Sequence, residues 1–429
     1  MNRKWGIFLV GILFLSLLLL SACAGEPGPA GPVGPAGPPG PIGPVGPTGD
    51  DASANLEYVG ADKCGDCHED VYARYLLSGH AHALTKIEGG EPPQFPFQEE
   101  VGELPDPPEG YSWDDISYVN GGFGWKALFI DQQGFIITGD QGATTQYNYA
   151  NDFVDAPAEW VSYHAGEEIP YDCGVCHTTG YRPEGHQDNL EGIVGTWAFP
   201  GIQCEACHGP GNRHAADPYG YLMRVDRSSQ LCADCHSRGN PAQIGAENGF
   251  EFHNQQYEDL FNSKHFAISC VTCHDPHASA RFADEEINPD KGLIQACEAC
   301  HWENEQKSIN KHLGVDCMDC HMPPMALSAQ ENLELVRADI RSHQFSINTD
   351  PKAPQFSDDG TLVMPYLTLQ YSCGQCHNGD YADVLKADEM QQAAEGYHDL
   401  PTPTPIPTAT PEPEPAGTEE DGVTPTPQS

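Results

Sequence analysis

Cysteine and histidine recur together along the chain in one repeated pattern. Sixteen of the 17 cysteines form pairs separated by two residues, and a histidine follows every pair. In chain order, motifs 1 to 8 are Cys64/Cys67/His68, Cys173/Cys176/His177, Cys204/Cys207/His208, Cys232/Cys235/His236, Cys270/Cys273/His274, Cys297/Cys300/His301, Cys317/Cys320/His321 and Cys373/Cys376/His377. Two thiols at this spacing can each form a thioether with one vinyl group of the same haem, and the next histidine can bind the iron. The pattern therefore predicts eight covalently bound haem c groups, with eight proximal histidines.

Cysteine pairs of this spacing also occur in zinc ribbons and redox-active dithiols. Neither site requires a histidine directly after the second cysteine. With 19 histidines in 429 residues, chance would place one after all eight pairs with odds on the order of 10⁻¹¹. The eight copies together favour haem attachment.

Eleven further histidines can supply the second axial ligand of each iron. Proximity to a motif, or a repeated Ser-x-His triplet, favours His80, His214, His265, His277 and His312; His343, in the segment Asp339-Ile-Arg-Ser-His343, completes this set. Further candidates are His164, His186 and His253, whereas His82 and His398 can equally be surface histidines. Two histidine ligands give low-spin iron of low reduction potential. Most of the haems are therefore expected to transfer electrons.

The chain ends predict an exported protein with a tether. Residues 1–22 have a basic start, an apolar stretch and small residues before Cys23, as in a lipoprotein signal peptide. Lipidation of Cys23 would anchor the mature chain to a membrane; an uncleaved membrane anchor is the alternative. Residues 23–55 contain a collagen-like Gly-Pro-x run, either a spacer or a trimerising segment, and residues 401–429 form a Pro/Thr/Glu-rich tail expected to be disordered.

Acidic residues outnumber basic ones, and the formal net charge is −43. A surface of this charge disfavours nucleic acid and anionic lipid as partners. The negative charge favours a cationic or metal-bearing partner. The alternative is that the charges form a solvated surface that maintains solubility.

Residues 56–400 are predicted to form one octahaem cytochrome domain. The stretch from Cys64 to His377 leaves only about 40 residues for each haem, so the haems must supply much of the core. A mainly α fold with extensive loops is therefore expected. The exception is a β-containing insert at about 111–170, between motifs 1 and 2, where two β-rich runs around Asp131–Gly134 predict a small hairpin.

Several segments resemble the multihaem cytochrome superfamily that contains hydroxylamine oxidoreductase and its tetrahaem electron-carrier relatives. They are Tyr58 to His80, Gly201 to His214, Cys270 to His277, Cys317 to Pro323 and Asp339 to His343. The resemblance implies a mainly helical, loop-rich haem array in stacked and perpendicular pairs, with His80, His214, His265 and His343 as distal ligands. Two departures stand out: no motif has lysine in place of its histidine, and only 23 residues separate His377 from the tail, which excludes the long C-terminal helices of hydroxylamine oxidoreductase.

These observations favour a membrane-tethered electron carrier outside the cytoplasm, with redox partner proteins or extracellular acceptors. No catalytic residue is predicted. One alternative is an octahaem oxidoreductase that acts on a small nitrogen or sulfur compound at one haem with an open position. Another is the subunit of a cytochrome filament, and a homotrimer or homopolymer is compatible with the collagen-like run.

Overall fold

Each motif is built on one helical turn. In motifs 1, 4, 5, 6 and 8 the histidine N–H donates to the carbonyl of the first cysteine at 2.8–3.0 Å. A hydrogen bond between residues four apart closes one α-turn, which holds two thiols and one imidazole in a fixed mutual position. The local structure of the motifs follows from their spacing.

The computed structural model describes residues 56–302, 312 and 314–398. The predicted signal peptide, Cys23, the Gly-Pro-x segment and the tail lie outside these residues. Within them the helices are short: Ala61–Gly65, Glu69–Leu76, Gln98–Val101, Gly174–His177, Cys204–His208, Asn212–Ala216, Ser229–Ala233, Gln256–Asn262, Cys317–His321, Leu369–Ser372 and Ala387–Ala394, with 3₁₀ turns at Trp113–Asp115, Gln187–Asn189, Cys270–Thr272 and Cys297–Ala299.

A seven-stranded sheet fills most of the interval between motifs 1 and 2. Its strands are β1 (Leu84–Lys86), β2 (Ile116–Gly121), β3 (Lys126–Asp131), β4 (Phe135–Ile136), β5 (Gln146–Asn148), β6 (Glu159–Val161) and β7 (Ile169–Pro170). The order is β1-β2-β3-β4-β7, with β5 beside β3 and β6 beside β5. The turn from β3 to β4 forms because Asp131 Oδ1 accepts the N–H groups of Gln133 and Phe135 at 2.9 Å, while Gly134 supplies a φ of +94°.

A second sheet of five strands joins distant parts of the chain. It consists of β10 (Ile244–Glu247), β11 (Phe250–Phe252), β12 (Pro324–Asn332), β13 (Arg337–Arg341) and β15 (Leu362–Val363), in the order β13-β12-β11-β10-β15. Only the pair β11 and β12 is parallel. Two small ribbons complete the strands: β8 (Thr178–Thr179) with β9 (Phe199–Pro200), and β14 (Ile347–Asn348) with β16 (Leu367–Thr368).

The expectation of a mainly α fold is wrong. Helix and strand occupy 22% and 21% of the chain, and the predicted hairpin, β3 with β4, belongs to a seven-stranded sheet. The intervals between motifs are long enough to bury side chains of their own. Ile130, Tyr118 and Tyr171 anchor one apolar cluster, Phe129 a second on the same sheet, and Phe250 and Met325 a third in the five-stranded sheet.

Within the described ranges, no helix has both the length and the apolar character needed to cross a membrane.

Candidate functional site

Seven of the eight motif histidines face a second histidine from elsewhere in the chain. Each pair joins two imidazole rings whose centroids lie 5.9–6.2 Å apart. The pairs are His68 with His214, His208 with His277, His236 with His80, His274 with His343, His301 with His265, His321 with His398 and His377 with His312.

This separation fits two axial ligands of one iron. A metal–nitrogen bond of about 2 Å, and a ring nitrogen about 1.2 Å from its own centroid, would place trans imidazole centroids about 6.3 Å apart. The pairs lie within about 0.5 Å of that value and leave between them the space that one haem plane requires. The donor set therefore fits covalent haem.

The second nitrogen of many of these rings is already hydrogen-bonded. Nδ1 of His208, His214 and His321 lies 2.7 Å from the carbonyl oxygens of Arg224, Tyr221 and Phe345, respectively. A histidine that donates from Nδ1 keeps Nε2 free for a metal, and the hydrogen bond fixes the ring orientation.

Burial keeps two of the facing histidines neutral. Burial, together with the nearby ring of His236, lowers the pKa of His80 to about 4. Burial, together with His274, lowers the pKa of His343 to about 3. A neutral imidazole is the form that binds a metal.

All six of the favoured distal candidates lie in these pairs: His80, His214, His265, His277, His312 and His343. The seventh partner is His398, for which the sequence left open whether it is a ligand or a surface residue. It stands just before the tail, without a nearby motif or a repeated triplet, so that local sequence gave no signal for it.

The remaining candidates do not face a motif histidine at this distance. His164 is half exposed, and its Nδ1 lies 3.3 Å from Glu167 Oε2. His186 places Nδ1 2.6 Å from the carbonyl oxygen of Ile193. His82 donates from Nε2 to the carbonyl of Leu76 at 2.8 Å and packs against the rings of Phe95 and Phe123.

The proximal histidine of motif 2 is the exception to the pairing. His177 Nδ1 lies 2.8 Å from the carbonyl oxygen of Ala83, as expected of a ligand, but no histidine ring in the described residues faces it as in the other seven motifs. All 19 histidines of the sequence lie within those residues.

Cationic side chains lie near His177 instead. Burial lowers the pKa of His253 to about 4, and Lys126, Arg238 and His177 contribute further electrostatic repulsion. Burial also lowers the pKa of Lys126, although the charge of Asp339 opposes the shift. The Lys126 ammonium donates to the carbonyl of Ser328 at 2.6 Å. Lys126 and His253 interact electrostatically with His177, and Arg238 interacts with Lys126 and His253. These four side chains are called the motif 2 pocket.

Asp339 fixes the backbone to which Lys126 is bound. Its carboxylate accepts the N–H groups of Ser328, Ala329 and Gln330 at 2.7–3.1 Å, where the pairing of β12 with β13 shifts register. The lysine is thereby held by a bulge that the sequence pattern did not reveal.

Large apolar side chains next to the motifs are left uncovered by protein. Val175, Phe266, Ile294 and Trp302 are each more than half exposed, and each lies in a motif or within four residues of one. Single exposed apolar side chains are common on protein surfaces. These four lie where a haem attached at the adjoining cysteines would cover them.

The thiols of different motifs approach one another in a defined order. The pKa of one thiol is shifted by a thiol of another motif between motifs 1 and 3 (Cys64 and Cys204), 2 and 4 (Cys176 and Cys235), 4 and 5 (Cys232 and Cys270) and 6 and 7 (Cys297 and Cys317). Electrostatic proximity joins motif 3 to 4 (Cys207 and Cys232), motif 5 to 6 (Cys273 and Cys297) and motif 7 to 8 (Cys320 and Cys373). The motifs therefore form a line, 1-3-4-5-6-7-8, from which motif 2 branches at motif 4.

Three predicted attachment cysteines, Cys67, Cys300 and Cys376, differ from the thiols that connect the motifs. Cys67 and Cys300 are exposed, and the guanidinium of Arg337 donates to Cys376 Sγ at 3.5 Å. In the part of the chain that the structure describes, none of the three is hydrogen-bonded to a cysteine of another motif. The N–H of each donates to the carbonyl of the first cysteine of its own motif at 3.1–3.2 Å, so the local turn alone positions it. At these three, as at the other thirteen motif cysteines, haem attachment stays a prediction from the motif.

Comparison with known proteins agrees with this site. Residues 151–209 match the family of cytochrome c554 and c-prime. The chain is 21% identical over 200 residues to the multiheme cytochrome MtrA of Shewanella baltica, covering 43% of this chain and 54% of MtrA. It is 21% identical over 460 residues to the dissimilatory sulfite reductase MccA of Wolinella succinogenes, covering 80% of this chain and 63% of MccA. The chain thus spans between half and two thirds of the length of these relatives.

Solved structures extend the comparison to the fold. The octaheme sulfite reductase MccA superposes with a TM-score of 0.53 at 17% identity, covering 74% of this chain and 65% of that structure. The outer cell wall cytochrome OcwA gives a TM-score of 0.49 at 19% identity, with 78% and 86% covered.

Repeated attachment motifs and facing histidines define a cytochrome of the c type with several haems. The chain is a multihaem c-type cytochrome, as the resemblance seen in its sequence implied. Its cofactor is covalently bound haem c.

Proposed function

We propose that this protein is an octahaem electron-transfer protein that acts outside the cytoplasm. The observation that carries the proposal is the set of seven facing histidine pairs. When bound, haem supplies one-electron transfer at a low-spin iron. The chain contributes two axial imidazoles for seven sites and the thiols of all eight motifs.

The order of the thiols gives the carrier a direction. Motifs 1 and 8 are the ends of the line, and the acceptor or donor proteins would dock at these ends. Since motif 2 lies on a branch, electrons can pass from motif 1 to motif 8 without it.

Haem content and spin state test the proposal. The intact mass of the exported protein should correspond to eight attached haems, and electron paramagnetic resonance of the oxidised protein should be dominated by low-spin signals. A mass corresponding to fewer haems, or a mainly high-spin spectrum, would contradict it.

The proposed location is the outer face of a membrane, with the lipid on Cys23 and residues 23–55 as a spacer. This part of the proposal is supported by the sequence alone. Replacement Cys23→Ser should abolish incorporation of labelled fatty acid and release the cytochrome from the membrane fraction. Retention of Cys23→Ser in the membrane would indicate an uncleaved anchor instead.

Sedimentation of the full chain and of a chain lacking residues 25–49 tests whether the collagen-like run forms a trimer. If it does, deletion should lower the mass of the sedimenting particle by a factor of about three.

A second candidate function follows from the motif 2 pocket. His177 lacks a facing histidine among the described residues, whereas Lys126, Arg238 and His253 supply positive charge or hydrogen-bond donors beside it. Such a pocket suits a small anion or polar molecule at an open coordination position, and one relative of this chain is a sulfite reductase. The candidate is an oxidoreductase of small nitrogen or sulfur compounds, with electrons delivered through motif 4.

Turnover of sulfite, nitrite and hydroxylamine with a reduced dye tests this candidate. The oxidised protein should show a high-spin component that changes when one of these compounds is added. Lys126→Gln should weaken binding of an anionic compound at least about tenfold because it removes a buried charge, whereas the exposed Lys352→Gln should leave it unchanged. Eight low-spin haems in the wild-type protein would eliminate the candidate and leave the carrier function intact.

A further inference from the structure

Asp275 lies between two histidines that belong to different haem sites. It follows the motif 5 histidine, His274, and precedes His277, whose ring faces His208 of motif 3. The rings of His208 and His277 are nearly parallel, with an angle of 4° between their planes. Asp275 is therefore next to the axial ligands of motif 3.

The hydrogen bond at His277 differs from those at the other paired rings. Where the structure gives an Nδ1 contact for another of these histidines, the partner is a neutral oxygen: a main-chain carbonyl for His80, His208, His214, His321 and His377, an amide oxygen for His236 and a hydroxyl for His312. His277 Nδ1 instead donates to the Asp275 carboxylate, at 2.8 Å. Within the described residues, no other facing pair is shown with a carboxylate in this position.

The carboxylate is held in place by its surroundings. The same oxygen, Oδ1, also accepts the main-chain N–H of His277 at 3.0 Å. The other oxygen lies 3.6 Å from the guanidinium of Arg74, on the helix Glu69–Leu76. Only 17% of the Asp275 side chain is exposed. The contact is thus a fixed feature of a mostly buried site.

We propose that Asp275 is a positioning residue that lowers the reduction potential of the haem held by His208 and His277. A carboxylate acceptor draws the Nδ1 proton away from the ring, makes the imidazole a stronger electron donor and stabilises ferric iron over ferrous iron. Arg74 opposes this effect because its positive charge attracts the carboxylate. The inference rests on the proposed octahaem function.

The lower reduction potential proposed for the motif 3 haem affects electron transfer because of where motif 3 lies. Motif 3 lies between motif 1 and motif 4 in the line of thiols. A low potential there makes the electron step onto motif 3 uphill from both neighbours. Asp275 thereby separates motif 1 from the rest of the line and sets the rate at which the two parts exchange electrons.

A redox titration of the intact, haem-loaded protein, followed by electron paramagnetic resonance, tests the inference. Nearly parallel axial imidazoles give a rhombic low-spin spectrum, which motif 3 shares with the pairs at motifs 1 and 7, at 17° and 24°. The motif 3 component is the rhombic one that is lost in His277→Ala. Asp275→Asn should move that component to a more positive potential with the other seven unchanged. Arg74→Gln should move the same component in the opposite direction, and Asp275→Glu should restore the wild-type value. Asp290→Asn removes an equal charge from an exposed site in the same region and should move nothing.

The outcomes separate this inference from the function on which it rests. If the wild-type protein lacks haem at Cys204 and Cys207, the octahaem proposal itself fails. If Asp275→Asn retains eight haems and the potential of the motif 3 component does not change, only the role of Asp275 is overturned. If Asp275→Asn loses a haem, Arg74→Gln provides the test instead. An unchanged potential of the motif 3 haem in Arg74→Gln would then overturn the inference.

Discussion

At the scale of single residues, a distal ligand and a bystander histidine differ in which ring each one faces. His398 faces His321 with a centroid separation of 6.0 Å. His82 uses Nε2 to bind the carbonyl of Leu76 and, within the described chain, faces no motif histidine. Both histidines lie next to aromatic rings, so composition around them does not distinguish the two roles.

We predict that His398→Ala converts the motif 7 site to one with a single axial imidazole. The high-spin signal should rise by about one haem in eight, because a site with one strong axial ligand becomes high-spin. Electron paramagnetic resonance of the oxidised protein measures the change. His82→Ala serves as the control and should leave the signal unaltered; an equal rise in both variants would refute the assignment of His398.

The proximal side of each site could be predicted from the sequence, and the distal side only in part. A motif is local, because one helical turn determines the geometry of its three functional residues. A distal histidine is brought in by the fold: His80 meets His236, and His343 meets His274, across long stretches of chain. Proximity to a motif, a repeated triplet and the segment Asp339-Ile-Arg-Ser-His343 together identified six candidates, but these signals could not say which motif each one faces.

At the scale of structural elements, a buried carboxylate joins motif 1 to motif 3. Glu205 is 2% exposed and accepts main-chain N–H groups from Val59, Gly60 and Gly211 at 2.7–3.0 Å. It thereby fixes the segment before motif 1 onto the helix Cys204–His208. The close approach of Cys64 to Cys204 depends on this junction.

Glu205→Gln is expected to destabilise the folded protein by about 1–3 kcal/mol, since an amide replaces one acceptor oxygen by N–H donors that face other donors. Denaturant unfolding of the haem-loaded protein measures the loss, and hydrogen exchange at Val59 and Gly60 locates it. Glu57→Gln removes an exposed carboxylate from the same segment and should have little effect. Equal stability of the two variants would show that Glu205 does not hold the junction.

The sheets were the part of the fold that sequence reasoning missed. Many strands contain only two or three residues, too few for alternation of apolar and polar positions to be recognised. Strand pairs such as β11 with β12 join distant segments, and the β12–β13 pairing is interrupted by a shift of register. The assumption that haems replace the core ignored the long intervals between motifs, where the strands build cores of their own.

Gly121, at the end of β2, keeps the neighbouring strand in place. Its φ is +76°, and a Cβ atom there would lie 2.5 Å from the carbonyl oxygen of Lys126. Gly121→Ala should therefore displace Lys126 and weaken anion binding in the motif 2 pocket, while the seven paired sites stay low-spin. Titration of sulfite, followed optically, measures the affinity. Gly142→Ala is the matched control, because Gly142 also has a positive φ but open space around it; the same loss of affinity there would point to general backbone strain.

At the scale of the whole molecule, the proposed order of the haem sites differs from the order of their motifs in the sequence. Motif 2 follows motif 1 in the chain, yet its thiol Cys176 meets Cys235 of motif 4. The intervening sheet separates the two neighbours, and the β8–β9 ribbon returns the chain to motif 3. Spacing alone could predict the number of sites but not how they are connected.

The charge of the molecule determines which partners it meets fastest. A net charge of −43 attracts cations over a distance set by the ionic strength, about 30 Å at 0.01 M and 8 Å at 0.15 M. Near the motif 8 end of the line, between Gln375 and His398, the only basic residue is Lys386, whereas five residues are acidic: Asp380, Asp383, Asp388, Glu389 and Glu395. An acceptor that approaches this end therefore meets a negative surface.

We predict that the reduced protein transfers electrons to a cationic metal complex faster than to an anionic complex of matched potential. Added salt should slow the first reaction and speed the second, with a change of at least about tenfold between 0.01 M and 0.15 M ionic strength. Stopped-flow oxidation of the dithionite-reduced protein gives both rates, and a neutral quinone serves as the control with little salt dependence.

Converting Asp380, Asp383, Asp388 and Glu389 to their amides should reduce the salt dependence of the cationic reaction if electrons leave at motif 8. An unchanged salt dependence in that variant would place the exit at another haem, whereas rates that do not depend on salt in the wild-type protein would show that charge does not guide its partners.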